Sequence, residues 1–415
     1  MTRRPSISVV VPNWNGRHHL SACLDSLLAL DYPSDLVDVI VVDNGSTDGS
    51  VELVGAKYPQ VRVLRNPGNT GFAHACNQGV DASTAEFVAF LNNDARVDPA
   101  WLRELVAVAE GDPAVAAVGS LVLDWEGTHL DFARSGLSPL ARGLQLDHGR
   151  PVGDAPREPH EQLFANGAAV LVRRDAFREV GGFDRRFFAF YEDVDFGWRC
   201  WVLGWRVLVA PASRVYHRHH GTSRRLRAAQ VEFLLTRNAV MAAVKNLEGD
   251  TLAALLPVLL LETASRVATD GGMRSERYRP PGFGGSAFKP PGPRLSTGRV
   301  TARDLLHAVR HGPEAGRSAI RRAVAAGIPG ASVLSPRGGA RVAALEDLLF
   351  GWPELMRARS EVQERRRRTD AEITALFGLD EQKRDPSDHS PRDATAAAVY
   401  RALQAAGLER LLPRA

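Results

Sequence analysis

The chain has 415 residues, of which 44% are hydrophobic and 24% charged, a composition that leaves room for two or three folded domains and excludes disorder as the main state. Its formal charge of +4 conceals an asymmetry, with 21 Lys and Arg against 27 Asp and Glu through Thr222 and 31 against 21 beyond it. An acidic body with a basic remainder points to an anionic partner: a membrane surface, a phosphate-rich ligand or nucleic acid.

The first apolar run, residues 7–11, is β-branched and stops at Pro12. It is too short for a signal-peptide core and reads as a buried strand. Helical spacing over 20–30 follows, then a continuous apolar run at 37–42 ending in Asp43, and short strands at 61–64 and 86–91. Continuous apolar strands between amphipathic helices predict an α/β fold whose mostly parallel sheet is covered on both faces.

Ligands of such sheets gather beyond the carboxyl ends of the strands. There the chain places Pro12, Asn13 and Asn15; Asp43 with Asn44 and Ser46; Asn66, Asn69 and Gly71; and Asn92, Asn93 and Asp94. Any one cluster suits an ordinary turn. Four on one edge favour a polar ligand site. Asp43 can accept hydrogen bonds from a pyrimidine or a ribose, although no GxGxxG or Walker-type loop is present. Asp94 can offer an oxygen to a hard divalent cation, with an Asx-turn as the alternative.

Residues 181–205 are the densest stretch. Glu192, Asp193 and Asp195 precede a helical spacing of Phe196, Trp198, Val202 and Trp205, and follow Phe187, Phe188, Phe190 and Tyr191. Carboxylates there can cap the helix, yet one cap does not need three. The aromatic group can wall a sugar-like ligand beside a general base. A strand at 207–210 leads to His217, His219 and His220. His217, first after the strand, is a candidate metal ligand, with solvent exposure as the alternative.

Beyond residue 224, Ala/Leu/Arg-rich helical patterns flank a Pro/Gly-rich connector or lid at 279–299, with a helical block from 340 to 377 and a last helix at 394–412. This divides the chain into 1–223, a helical extension at 224–278, the connector, and a helical region at 300–415. The apolar stretch at 252–267, divided or kinked at Pro257, and the arginines at 365–368 fit either a membrane-surface contact or an ordinary helical core with intrahelical pairing to Glu361, Glu364 and Asp370. The apolar stretch is too short to span a bilayer. The arginines lack the interleaved aromatics of a nucleic-acid platform. Three widely spaced cysteines form no disulfide framework, which points to a reducing cytoplasm.

In order and spacing, VVPNWNG, VIVVDNGSTDGS, NPGNTGFAHACNQG, FLNNDARVDPAWL, NGAAVLVRRDAFREVGGFD and FYEDVDFGWR resemble the family-two glycosyltransferases of GT-A fold, closest to a rhamnosyltransferase-like bacterial branch. The resemblance covers residues 7–223. It implies a GT-A sheet with a mainly helical C-terminal extension, a nucleoside-diphosphate sugar donor (dTDP-rhamnose or a UDP-sugar) and inverting transfer to a hydroxyl of a glycan or polyprenyl-linked acceptor in cell-wall or polysaccharide assembly.

By position, Pro12, Asn13, Asn15, Asp43, Asn69, Gly71, Asn77, Asn92 and Asn93 would line the nucleotide-sugar site. Asp94, with His217, would hold Mg2+ or Mn2+, although Asn92-Asn93-Asp94 retains one carboxylate of the family's DxD-type motif. Asp193 matches the catalytic base, and Glu192, Asp195 and Trp198 are expected on the acceptor side. The implied location is cytoplasmic, with peripheral contact at the inner face of the plasma membrane if the basic half binds lipid. A nucleotidyltransferase and an inactive sugar-nucleotide-binding protein are the alternatives.

Overall fold

The computed structural model describes residues 3–218, 226–270 and 335–378. They fall into two compact units, the first drawn from 1–138, 142–226 and 364–379, the second from 139–141, 227–363 and 380–415. The expected connector at 279–299, the helix at 394–412, and His219 and His220 lie outside the described residues.

In chain order the first unit contains β1 (Ile7–Asn13), α1 (Arg17–Leu28), β2 (Val37–Asp43), α2 (Ser50–Lys57), β3 (Arg62–Arg65), α3 (Phe72–Asp81), β4 (Phe87–Leu91), β5 (Ala95–Val97) and α4 (Trp101–Glu110). It continues with β6 (Val115–Asp124), β7 (Leu130–Phe132), β8 (Ser135–Leu137), β9 (Gly143–Gln145), β10 (His160–Glu161), β11 (Ala169–Arg173), α5 (Arg174–Val180), α6 (Glu192–Val202) and β12 (Arg206–His217). The main sheet runs β10-β12-β6-β11-β4-β1-β2-β3, with β5 added to β12 and β7 to β6. The strands β4, β1, β2 and β3 are mutually parallel. In the inner strands β4 and β1 and at the end of β2 the side chains are buried on both faces, as at Val9, Val10 and Val11, which is why these runs are continuously apolar rather than alternating; the edge strand β3 is partly exposed.

The sheet is mixed at its other half. β11 runs antiparallel between β4 and β6, while β12 is parallel to β6. β12 extends well past the expected 207–210, passing an irregularity between Ala210 and Arg214. Such bulges re-aim side chains, and the extended strand ends on His217, opposite Ala95.

In the second unit, α7 (Ala228–Asn246), α8 (Gly249–Asp270), α9 (Pro336–Phe350) and α10 (Trp352–Gln363) pack as helices. Pro257 does not divide α8, which runs through it. Leu252, Leu255, Leu259 and Glu262 are buried along one face, the i, i+3, i+4 stripe of a core helix. Among the described residues no helix is long and apolar enough to cross a membrane.

The arginines at 365–368 fold back on the first unit. Arg365 donates to the Glu179 carbonyl and Arg366 pairs with Asp370. The amides of Arg367 and Arg368 donate to the Val202 carbonyl, and the Arg368 guanidinium donates to the carbonyls of Gly204 and Trp205. These acceptors sit at the end of α6, where a helix leaves carbonyls unpaired and favours a cation. The chain then forms α11 (Asp370–Phe377), opened by a Thr369–Glu372 capping box, with the Phe377 ring tilted against Trp201 at 4.8 Å between centroids. Arg366 and Arg368 are thus half-buried in internal contacts while Arg365 and Arg367 remain exposed, and Arg366 makes a carboxylate pair at helical spacing with Asp370.

Candidate active site

The parallel strands deliver their polar termini to one edge. Asn13 and Asp43 are register partners at the ends of β1 and β2. Asn13 Nδ2 donates to Asp43 Oδ1 at 2.9 Å, and Asn93 Nδ2, beyond β4, donates to Asn13 Oδ1 at 2.7 Å. The Ser46 amide donates to Asp43 Oδ2 at 2.9 Å. All three are nearly fully buried, so the network orients Asp43 while each oxygen keeps a second lone pair for a ligand. Asn15, half-buried with φ +53°, accepts from the Thr47 amide, and its own amide donates to Ser46 Oγ. Pro12 is half-buried in β1.

The loop after β3 is held by Asn44. Its amide donates to the Gly71 carbonyl at 3.2 Å, and its oxygen accepts from Asn66 and Thr70. Asn69 is exposed and accepts from the Gly71 amide. Gly71 has φ +89°, and a Cβ there would stand 2.6 Å from the Phe188 carbonyl oxygen. Asn77 has both ends of its side-chain amide on the Phe183 backbone, at 2.7 and 3.0 Å. It is a brace between α3 and the segment before α6.

Asp94 is 4% exposed. Its Oδ1 accepts no hydrogen bond of good geometry and lies 3.2 Å from His217 Nε2. Asn92 Nδ2 is 3.3 Å from the same nitrogen, and His217 Nδ1 is 2.7 Å from Asp131 Oδ2. Burial pushes the Asp94 carboxyl up, but the adjacent imidazole outweighs it and the pKa is lowered. For His217, burial alone would lower the pKa; Asp131 and Asp94 override it and raise it to about 10. No cluster of three His, Cys, Asp or Glu donors surrounds a point among the described residues. An orphaned buried carboxylate oxygen beside an imidazole nevertheless fits the protein's share of a divalent site, because Mg2+ takes one or two carboxylates and completes its shell with phosphate and water.

Between the metal candidates and α6 lies the turn before β11. The Asn92 amide donates to the Ala168 carbonyl, and the neighbouring Gly167 amide donates to Asp193 Oδ2 at 3.0 Å. Asp193 Oδ1 accepts from the Val194 amide at 2.8 Å. Asp193 is half-buried, whereas Glu192 is 6% exposed with Oε2 unpartnered. Burial raises the pKa of both, further for Glu192, which also faces the Asp193 charge. Two amide donors favour the charged form at Asp193. Burial therefore opposes the charge more strongly at Glu192, while Asp193 carries the two amide donors that favour its charged form.

Phe188, Phe190 and Tyr191, leading into α6, have φ of +62°, +67° and +69°. Positive φ at three bulky residues within four positions costs on the order of 1–3 kcal/mol each and collects at functional sites. Phe188, Phe190 and Tyr191 are half-buried, while Phe187 is fully buried in the core.

Two expected acceptor-side residues do not reach the site. Asp195 is fully buried and forms an ion pair at 2.8 Å with Arg199, whose guanidinium also donates to the Val180 and Gly182 carbonyls. Trp198 is 1% exposed. The period of α6 turns both into the core, where Asp195 is committed to Arg199. Sequence reasoning also passed over Gly167 and Asp131. Gly167 lies inside a quoted motif; Asp131 carries no motif.

A profile of glycosyl transferase family 2 matches residues 8–181. The chain is 34% identical over 242 residues to an N-acetylglucosaminyl-diphospho-decaprenol L-rhamnosyltransferase of Mycobacterium tuberculosis, covering 52% of this chain and 78% of that protein. It is 34% identical over 218 residues to a pre-mycofactocin glycosyltransferase of the same organism, covering 51% of this chain and 43% of that one. To the O-antigen biosynthesis protein RfbC of Myxococcus xanthus it is 32% identical over 236 residues, 53% of this chain and 18% of the other.

Proposed function

This chain belongs to glycosyl transferase family 2, and on that premise we propose that it is an inverting transferase moving a sugar from a nucleoside diphosphate to an acceptor hydroxyl, with Asp193 as the base. The observation that carries the reading is the asymmetry of the Glu192–Asp193 pair. A general base serves best with a pKa lifted toward the working pH while still ionised. Asp193, raised by burial and held charged by Gly167 and Val194, meets that requirement.

Asp43, oriented by Asn13 and Ser46, receives the base or ribose through its remaining lone pairs. Asn15 and the Asn44-braced loop with Asn69 and Gly71 complete the nucleotide side; Asn13, Asn92 and Asn93 support it from beneath. Asp94 and His217 would hold Mg2+ or Mn2+, which when bound would supply positive charge beside the diphosphate. In the transfer, the acceptor oxygen bonds to the anomeric carbon as its proton passes to Asp193. The bond from that carbon to the diphosphate oxygen breaks, and the electron pair leaves with the nucleoside diphosphate. One base on the acceptor side suffices, in contrast to the two close carboxylates of a retaining glycosidase.

The rhamnosyltransferase relative is named for a diphospho-decaprenol acceptor. We take a lipid-linked or glycan hydroxyl as the acceptor class and dTDP-rhamnose or a UDP-sugar as the donor class. A panel of sugar nucleotides with the full chain tests this: release of a nucleoside diphosphate with transfer of the sugar supports it, and release of pyrophosphate overturns it in favour of nucleotidyl transfer.

A further inference from the structure

We infer that Asp131 is a positioning residue for cation binding, holding the His217 ring by Nδ1 so that Nε2 is presented beside Asp94. The inference rests on the reading of Asp94 and His217 as a metal pair. Asp131 stands in the three-residue strand β7, which joins the sheet only through β6. It is 3% exposed. Its Oδ2 is 2.7 Å from His217 Nδ1, a contact across 86 positions of sequence. Its Oδ1 is 3.2 Å from His148 Nδ1, which lies equally close to the Asp131 carbonyl oxygen. The carboxylate is thus steadied from a second direction.

The chemistry follows from donor and acceptor capacities. An ionised carboxylate can only accept, so the Nδ1 facing Asp131 carries the proton. With Nδ1 keeping its proton for Asp131, Nε2, 3.2 Å from Asp94 Oδ1 and 3.3 Å from Asn92 Nδ2, is the nitrogen that would give up its proton to a bound cation. Histidines that ligate metals commonly donate their other N–H to a carboxylate in this way, which sets the tautomer and fixes the ring plane; loss of such a partner typically weakens metal binding about 10–100-fold. β6 makes the arrangement possible, because it pairs with β7 on one side and with β12, the strand ending at His217, on the other.

The test uses the full chain and Mn2+ alone, titrated by calorimetry or by the free-ion paramagnetic signal. Asp131→Ala is expected to bind Mn2+ about 10–100-fold more weakly than the unmodified chain, with Asp131→Asn, whose side-chain oxygen still accepts, closer to the unmodified value. Nitrogen-15 spectra of the unmodified chain with Mg2+ should show the His217 proton on Nδ1, a readout that stands even if a variant fails to fold. Mn2+ affinity of a folded Asp131→Ala within twofold of the unmodified chain, or a His217 proton on Nε2, overturns the role of Asp131 and leaves the metal pair standing. Absence of Mn2+ uptake by the unmodified chain removes the metal pair and this inference together.

Discussion

Gly167 donates its backbone N–H to Asp193 Oδ2 at 3.0 Å, which ties the turn entering β11 to the first turn of α6. The same carboxylate receives the Val194 amide, so its position is set by main chain on both sides rather than by mobile side chains. A carboxylate held this way is preorganised for the role of base proposed for it.

Asp193→Asn should abolish transfer while preserving donor binding. Asparagine keeps an oxygen for the two amides but cannot take up the acceptor proton. The expected loss in kcat is about 10²–10⁴-fold, read in a sugar-nucleotide assay, with thermal stabilisation by the nucleoside diphosphate unchanged. Transfer at the unmodified rate would remove Asp193 from the mechanism.

Glu192 makes stability depend on pH. Its folded pKa lies above the ordinary carboxylate range because burial disfavours the charge. Below about pH 4.3 both the folded and the unfolded carboxyl are protonated and its contribution is fully present. As pH rises from there toward the folded pKa, only the unfolded state ionises, and stability falls by about 1.4 kcal/mol per pH unit. Glu192→Gln should abolish this slope. Unfolding curves of both proteins from pH 4 to 8 should diverge, the variant becoming the more stable; parallel curves would show that Glu192 ionises freely in the fold.

The buried Asp195–Arg199 pair should behave as an element of the core. Arg199→Met strands the Asp195 charge and should cost about 3–5 kcal/mol in denaturant unfolding. Replacing Asp195 and Arg199 together by apolar residues should cost less than Arg199→Met alone. A larger loss in the double variant would contradict the desolvation argument.

Gly71→Ala should be damaging although it adds one methyl group. At φ +89° an alanine is strained, and its Cβ would meet the Phe188 carbonyl at 2.6 Å. The loop or the aromatic segment must shift. The expected result is a lowered melting temperature together with weaker donor binding, measured on the purified variant. An unchanged melting temperature and donor affinity would show that the two segments are not in contact.

Arg368→Ala removes the guanidinium from the carbonyls that end α6. Charged hydrogen bonds of this kind contribute about 1.5–3 kcal/mol, reduced here by partial exposure. The variant should unfold earlier and expose the end of α6 to limited proteolysis. Equal protease resistance would mean that the returning segment is not needed by the first unit.

Much of this organisation was legible in the residues. Continuous apolar runs at 7–11 and 37–42 are the local mark of buried parallel strands, and the polar clusters after them sit where β1, β2, β3 and β4 end. Other features were opaque. Three carboxylates within four residues look equivalent until α6 is packed; burial then turns Asp195 toward Arg199 and leaves Asp193 at the turn before β11. The four arginines suited a membrane surface as well as a folded core, and the carbonyls they meet lie more than 160 positions away for Arg368.

The sequence by itself determined the α/β class, the strand-end motifs and the family resemblance, because hydrophobic period and turn chemistry depend on near neighbours. Only the tertiary structure decided which carboxylate receives the two main-chain amides, which asparagine is a brace, and that Asp131 stands behind His217. Those properties arise from burial and from partners brought together by strand pairing, and no local pattern in the chain encodes a contact across 86 residues.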